Sequence, residues 1–213
     1  MRKAALLFLA GLLCAAFAQP AQADRYDRYR GDAPPPRRGA EVPPPRHAVH
    51  GQTYFFGHIG LFEPNDDDPT LSGGGLGGYD TGGSFDVGIG SRVSHNLAIE
   101  GTFGMYAADR GSDEVAVVPL TFGARLIIPA PVIEPYIGAG LGIYFAGLDE
   151  PSSGIDDSDT TIGGYGSLGL DAWLNPRTAL NFEGKYHWVE PTFNGIDVDV
   201  SGWTLSLGVR ISF

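Results

Sequence analysis

The segment WTLSLGVRISF, from Trp203 to Phe213, decides the fold of this chain. Its large apolar residues stand at every odd position, and its small or polar residues, together with Arg210, stand at every even position. Successive side chains of a β-strand point to opposite faces, so this alternation predicts a strand with one apolar and one polar face. The predicted strand runs as far as the terminal aromatic residue.

This ending resembles the C-terminal insertion signal of bacterial outer-membrane β-barrels. That signal needs a polar residue, a glycine and two apolar positions that close on an aromatic residue. Here it is met by Ser206, Gly208, Ile211 and Phe213. The resemblance implies that the outer-membrane assembly machinery recognises this strand and that the chain is placed in lipid.

The N-terminus predicts a secretory signal peptide over residues 1–23. Two basic residues precede an apolar run from Ala4 to Ala18, and Ala21-Gln22-Ala23 is a small-x-small cleavage site. The run is too short for a transmembrane helix, which needs about 20 apolar residues. We therefore expect export through the periplasm after cleavage. No later segment approaches helical spanning length, so insertion into a membrane would have to use strands.

Residues 24–50 predict a disordered periplasmic arm rich in proline and arginine. The segment contains two triple prolines, at 34–36 and 43–45, six arginines and almost no aliphatic residues. Such a composition cannot bury enough apolar surface to fold. The arm is interpreted either as a spacer or as a contact for an anionic partner.

Residues 51–213 are rich in glycine and aromatic residues and predict eight strands separated by turn signals. The predicted strands are 53–62, 82–93, 97–106, 115–128, 134–146, 161–174, 178–189 and 199–213. Short connections at 94–96, 129–133 and 175–177 alternate with longer ones at 63–81, 107–114, 147–160 and 190–198. Short periplasmic turns and long surface loops are typical of outer-membrane barrels. We therefore predict an all-β fold, an eight-stranded antiparallel up-and-down transmembrane β-barrel.

The two faces of the strands distinguish this barrel from a soluble sandwich, which also alternates. In the predicted fifth strand, Ile137, Leu141 and Phe145 alternate with Gly138 and Gly140. A face exposed to water would carry lysine, glutamate and threonine, whereas glycine suits the tight concave lumen of an eight-stranded barrel. The apolar face is therefore predicted to lie against hydrocarbon chains.

The segment from Pro135 to Gly142, together with Phe213, resembles the OmpA-like eight-stranded outer-membrane β-barrel family. The resemblance covers nearly the whole predicted mature fold and implies location in the cell outer membrane. It specifies the family better than the individual function. Relatives that anchor the cell wall do so through a further C-terminal domain, so anchoring by that route is not expected here.

Charged residues at lumen positions are balanced in number. Four are acidic and four are basic: Asp86, Glu100, Asp171 and Glu183, against Arg92, Arg125, Lys185 and Arg210. Buried ions are costly unless they are paired, so this balance predicts a closed lumen held by salt bridges. Arg92 and Glu100 should lie directly or diagonally opposite each other. The alternative is a gated pore in which the charges select ions. Glu134 and Arg177 are assigned to the short turns.

The predicted outer loops and their edges hold 16 of the 21 acidic residues of 51–213, with Arg110 as their one base. Carboxylates could bind divalent cations at these surface loops and bridge to lipopolysaccharide phosphates. No segment has the spacing of a calcium loop, so no specific metal site is predicted. The negative charge argues against nucleic acid as a partner. Outer-membrane lipid and lipopolysaccharide are the expected partners.

No catalytic residue and no cofactor are predicted. Lipid-modifying barrels need a serine activated by histidine, and neither His58 nor His187, the two histidines in strands, has a serine two residues later. The leading hypothesis is a structural outer-membrane barrel that supports envelope integrity and surface contact. The alternatives are a small channel or apolar-solute conduit like the OmpW-type barrels, and a surface adhesin or binding module.

Overall fold

The structure is a computed structural model that describes residues 51–65, 74–150, 155–193 and 195–213. The predicted signal peptide over 1–23 and the predicted arm over 24–50 lie outside these residues. The strands are β1 (Thr53–Pro64), β2 (Gly74–Gly75), β3 (Gly82–Arg92), β4 (Leu97–Arg110), β5 (Asp113–Ile127), β6 (Ile133–Glu150), β7 (Ile155–Asn175), β8 (Thr178–Trp188), β9 (Thr192–Phe193), β10 (Ile196–Asp199) and β11 (Gly202–Ser212). The described residues contain no helix with the length and apolarity needed to cross a membrane.

Eight of these strands form a closed antiparallel barrel in the order β1-β11-β8-β7-β6-β5-β4-β3. The last strand closes the barrel by pairing with the first, with Phe55 opposite Ile211 and Glu63 opposite Trp203. Each predicted strand corresponds to one barrel strand, so the predicted fold is confirmed. We call the end with the three short connections and both barrel termini the turn end, and the opposite end the loop end.

Two predicted loops, at 107–114 and 147–160, are longer than the connections in the structure. Residues 107–114 were expected to form a long connection, but β4 and β5 continue to a two-residue turn at Gly111 and Ser112. Gly111 has a φ of 65°, which most other residues avoid. The polar character of this segment suggested a loop, but it belongs to strands that extend beyond the apolar belt. The predicted 147–160 loop is shortened in the same way by β6 and β7.

The predicted faces agree with the structure. On β5, Leu120 and Phe122 are exposed, whereas Thr121 and Arg125 between and beside them are buried. The same pattern around the barrel leaves a continuous apolar exterior, of which Ile162, 80 % exposed, is the extreme member. The polar and small residues therefore line the lumen.

The interior of the loop end is apolar. A three-stranded sheet of order β2-β10-β9 forms there, almost entirely within the connections that the sequence analysis predicted as loops at 63–81 and 190–198. Leu76, Phe193 and Val200 from these connections pack with barrel residues such as Phe62 and Tyr144 in one buried cluster. We call this set the apolar cluster. Charged residues occupy the rest of the lumen, toward the turn end.

Candidate functional site: the charged lumen

Two arginines and two carboxylates form a compact group near the turn end. Arg125 contacts Glu100 at 2.8 Å and Asp171 at 2.9 Å. Arg210 contacts the same two residues, at 2.9 Å and 3.2 Å respectively. The four side chains are 8 % exposed or less. Each carboxylate therefore bridges two guanidinium groups, and the charges of the group cancel. We call these four residues the arginine quartet.

Aromatic rings hold the quartet from both sides. The guanidinium of Arg125 lies 3.4 Å from the centre of the Tyr136 ring, and that of Arg210 lies 4.4 Å from the centre of the Tyr54 ring. The Tyr54 hydroxyl also donates to Glu100 at 2.8 Å. Tyr54 fits because Gly90 has no side chain: a Cβ there would lie 2.5 Å from ring atoms. The lumen glycines thus make room for the rings that position the arginines.

A second ion pair closes the lumen nearer the short turns. Arg92 contacts Glu134 at 2.7 Å, and the indole N–H of Trp173 donates to the same carboxylate at 2.9 Å. Glu134 was expected at a short turn, and this assignment was wrong. Its side chain is fully buried, since it shares the inward face of β6 with Tyr136. Among the described residues, the charged groups of the lumen outside the apolar loop end therefore include five acids and four bases.

The predicted placement of Arg92 beside Glu100 holds in its diagonal form. Glu100 lies opposite Gly90, and Arg92 lies opposite Ala98, two residues along the same face. Glu100 makes its ion pairs with Arg125 and Arg210, and Arg92 makes its own with Glu134. The β3–β4 register determines which residues lie next to each other on the lumen face. The ion pairs also depend on the length of the arginine side chains, which reach carboxylates on more distant strands.

Lys185 is the centre of a third group, in the middle of the lumen. Its ammonium lies 2.9 Å from Glu183 and 3.3 Å from Asp86. Asp86 is also 2.6 Å from Nδ1 of His58. Sequence analysis placed His58 in a strand without naming a partner. Its place directly opposite Asp86 in the β1–β3 register is the signal that could have found the contact.

His187 marks the boundary between the charged and apolar parts of the lumen. Its ring lies 4.9 Å from the ring of Tyr106, and its Nδ1 is 3.3 Å from the hydroxyl of Tyr144. Both tyrosines belong to the apolar cluster. The lumen face of β8 thus carries a polar row from Glu183 through Lys185 to His187, and the last member of this row contacts tyrosines.

Two small cavities lie beside these groups. One, of about 20 Å³, is bordered by His58, Asp86, Lys185 and His187. The other, of about 10 Å³, lies at the turn end next to the arginine quartet. A single water molecule needs roughly 10–15 Å³ of such cavity volume. Each cavity therefore has room for about one water molecule.

The residues of the predicted insertion signal occupy both faces of β11. Ser206 is buried on the lumen face, and Gly208 follows on the same face. Ile211 lies on the outer face, and the terminal Phe213 stacks on Phe55 of β1 with ring centres 5.2 Å apart. The terminal aromatic residue therefore lies at the seam where the barrel closes.

Exposed carboxylates form a row around the outside of the loop end. Asp109 on β4 lies opposite Glu114 on β5, which in turn lies opposite Asp149 on β6. All three side chains are exposed. Directly opposite like charges repel, so this row is unfavourable without counter-ions. We call it the carboxylate row. The predicted loop acids Asp66, Asp67 and Asp68 lie outside the described residues.

Residues 39–210 match the family model of the outer membrane protein beta-barrel domain. No curated protein matches. Neisserial surface protein A has a similar structure, with a TM-score of 0.59 and 20% identity over 76% of this chain and 97% of that one. OprG from Pseudomonas aeruginosa gives a TM-score of 0.55 and 15% identity over 77% and 96%.

A third similar structure is Ail, the attachment invasion locus protein of Yersinia pestis, in complex with the heparin analogue sucrose octasulfate. Its TM-score is 0.51, with 16% identity over 78% of this chain and 100% of that one. At such identities the likeness shows the fold alone. The family match spans most of the chain, and the exposed apolar exterior agrees with it. The chain thus belongs to the outer membrane protein beta-barrel family, and its location is the cell outer membrane.

Proposed function

We propose that the protein is a structural outer-membrane barrel with a closed lumen, which supports envelope integrity and surface contact. The observation that carries this proposal is the filling of the lumen. The charged groups occupy the part toward the turn end, and the apolar cluster occupies the loop end. Two cavities, of about 10 and 20 Å³, lie beside the charged groups. A hydrated ion does not fit through such spaces, and an apolar constriction opposes wetting.

Conductance across a planar bilayer tests this proposal. The refolded full chain is expected to give no discrete openings, because buried ion pairs in the lumen are not free to move. The matched variants are Arg125→Ala and Arg210→Ala, which remove quartet members. Discrete openings in the unmodified protein that disappear in these variants would favour the gated pore instead.

We propose that divalent cations bound at the carboxylate row mediate the contact between the barrel surface and lipopolysaccharide. Neighbouring side chains across antiparallel strands are about 4.5–5.5 Å apart at Cβ, a spacing at which two carboxylates can share one ion. Calcium and magnesium prefer such oxygen ligands. The row lies at the loop end, beyond the exposed apolar residues of the exterior, so bound ions could link it to lipopolysaccharide phosphates.

The row can be tested by co-purification of lipopolysaccharide with the barrel. The triple variant Asp109→Asn, Glu114→Gln, Asp149→Asn is expected to lose retention that depends on calcium. A control variant with Glu190→Gln and Asp197→Asn changes two exposed acids of the loop end outside the row and should keep it. Equal retention by both variants would contradict a bridging role.

The protein is also proposed to be non-catalytic. A Ser-His-Asp triad needs the serine at the histidine nitrogen remote from the carboxylate. His58 contacts Asp86 through Nδ1, but its Nε2 has no hydrogen-bond partner among the described residues. Ser84 and Ser206 border the neighbouring cavity without reaching that nitrogen. A screen with ester and phospholipid substrates is expected to give no turnover; turnover lost in Ser84→Ala or Ser206→Ala would contradict this.

An apolar-solute conduit is the second candidate function. It is favoured by an interruption in the pairing between two neighbouring barrel strands. Pairing between β4 and β5 stops after Phe103 and Leu120 and resumes at Tyr106 and Val117. Pro119 lies in the interruption, where it has no N–H to donate. The larger cavity borders both Pro119 and Met105. Along β4, the strand that contains Met105, successive side chains face the lumen and the exterior alternately.

This candidate predicts that the wall opens where the pairing is interrupted. Proteoliposomes would then take up a labelled alkane faster than empty liposomes, and Pro119→Val, which restores the N–H, would slow the uptake. Uptake equal to that of empty liposomes would leave the closed structural barrel as the function.

A further inference from the structure

Lys185 occupies an unusual place in this chain. It is the one lysine between positions 4 and 213, where every other strongly basic residue is arginine. It is buried, with its ammonium 2.9 Å from Glu183 and 3.3 Å from Asp86. An ammonium is a compact charge with three donors, whereas a guanidinium is a planar fork. The use of lysine here points to a site shaped for a compact cation.

His58 provides a third arm of this site. A ring nitrogen of His58 and carboxylate oxygens of Asp86 and Glu183 lie within 4.8 Å of one another. The His58 side chain is 2 % exposed, and its Nε2 has no hydrogen-bond partner among the described residues. Imidazole and carboxylate together are typical ligands of first-row divalent metals.

The charges of the lumen make the lysine necessary. Glu100, Asp171 and Glu134 make their ion pairs with arginines. Asp86 and Glu183 share Lys185, and the histidine is their remaining basic neighbour. Removal of the amine would leave two carboxylates in the lumen without a cation, which is costly. A single divalent ion would match their charge.

We propose that His58, Asp86 and Glu183 form a cation site in the middle of the lumen, filled in the natural protein by the tethered ammonium of Lys185. Without the amine, the same three residues would bind a first-row divalent metal ion. The inference goes beyond the proposed function, because it holds whether or not the lumen conducts.

Cobalt binding to Lys185→Met tests the inference. The full chain is refolded in detergent, freed of metal, and titrated with Co²⁺ while the visible absorption of the bound ion is recorded. The unmodified protein is expected to bind no Co²⁺ in the barrel, and Lys185→Met to bind one ion. Adding His58→Ala or Glu183→Gln to that variant should weaken binding at least about 10-fold. His95→Gln, at an exposed turn, is the control and should leave binding unchanged.

Each result decides the inference. Equal binding by the unmodified protein and Lys185→Met would overturn it, because the amine would then not fill the site. Absence of binding by a folded Lys185→Met would overturn it as well. If that variant refolds only when Co²⁺ is present, the inference is supported. Failure to refold both with Co²⁺ and with a chelator would show that a metal cannot replace the amine.

Discussion

The charged part of the lumen and the apolar cluster at the loop end close the same barrel by different means. The charged part depends on matched partners, since Glu100 and Asp171 each contact both Arg125 and Arg210. The apolar cluster depends on filled volume and includes residues from outside the barrel strands, such as Leu76 and Phe193. Loss of one ion-pair partner leaves a buried charge without compensation, whereas loss of one methyl group from the apolar cluster leaves only a small cavity. The two regions should therefore respond differently to substitution.

Arg125→Ala should have the largest effect. It leaves Glu100 and Asp171 short of a partner in a buried site, and breaking such pairs costs about 3–5 kcal/mol. Urea unfolding of the refolded barrel in detergent measures the change. Arg177→Ala, at an exposed turn, is the control and should change stability little. Equal effects would show that the arginine quartet contributes no more than a surface charge.

Gly90→Ala should rank second. The added methyl group would meet the Tyr54 ring at 2.5 Å and displace it from Arg210 and Glu100. Overpacking of this kind typically costs about 1–3 kcal/mol. Gly101→Ala, a glycine with nothing within 4 Å of the added atom, is the matched control and should be neutral. A neutral Gly90→Ala would mean that the ring does not need this space.

Val115→Ala tests the apolar cluster and should cost about 1.5–2 kcal/mol, from two buried carbon groups at roughly 0.8 kcal/mol each. Val115 is buried among the residues of that cluster. Val87→Ala, on the barrel exterior, should cost less when measured by the same unfolding assay. A loss as large as that of Arg125→Ala would remove the contrast between the two regions.

Phe213→Ala should have the smallest effect on stability, about 0.5–1.5 kcal/mol from the ring contact with Phe55. If the terminal residue is also part of the insertion signal, assembly in cells should fall much further than refolding in vitro. Heat-modifiable migration of membrane fractions and of refolded protein compares the two. Parallel losses in both settings would assign Phe213 to stability alone.

The sequence predicted the barrel because alternation is a local property. Residue parity on β5 was enough to place Arg125 inside and Phe122 outside. Parity could also have placed Glu134 inside, because it stands two residues before Tyr136 on the same face of β6. The partners of Arg92 could not be predicted, because they depend on how far side chains reach across the lumen.

The small sheet of β2, β9 and β10 was missed for a different reason. Its strands are two to four residues long, and β10 pairs with β2 across more than 100 residues of sequence, as Val198 does with Gly74. No local pattern encodes such a contact. The β4–β5 turn was missed because Asp109 and Glu114 look like loop residues, although they are paired strand residues outside the apolar belt.

Solute flux into proteoliposomes tests the central claim, the closed lumen, most directly. The refolded full chain is reconstituted, and the entry of small ions and of sugars of increasing size is compared with that of protein-free liposomes. A sealed lumen predicts entry equal to the protein-free background for every solute. Entry above background that decreases as solute size increases would contradict it.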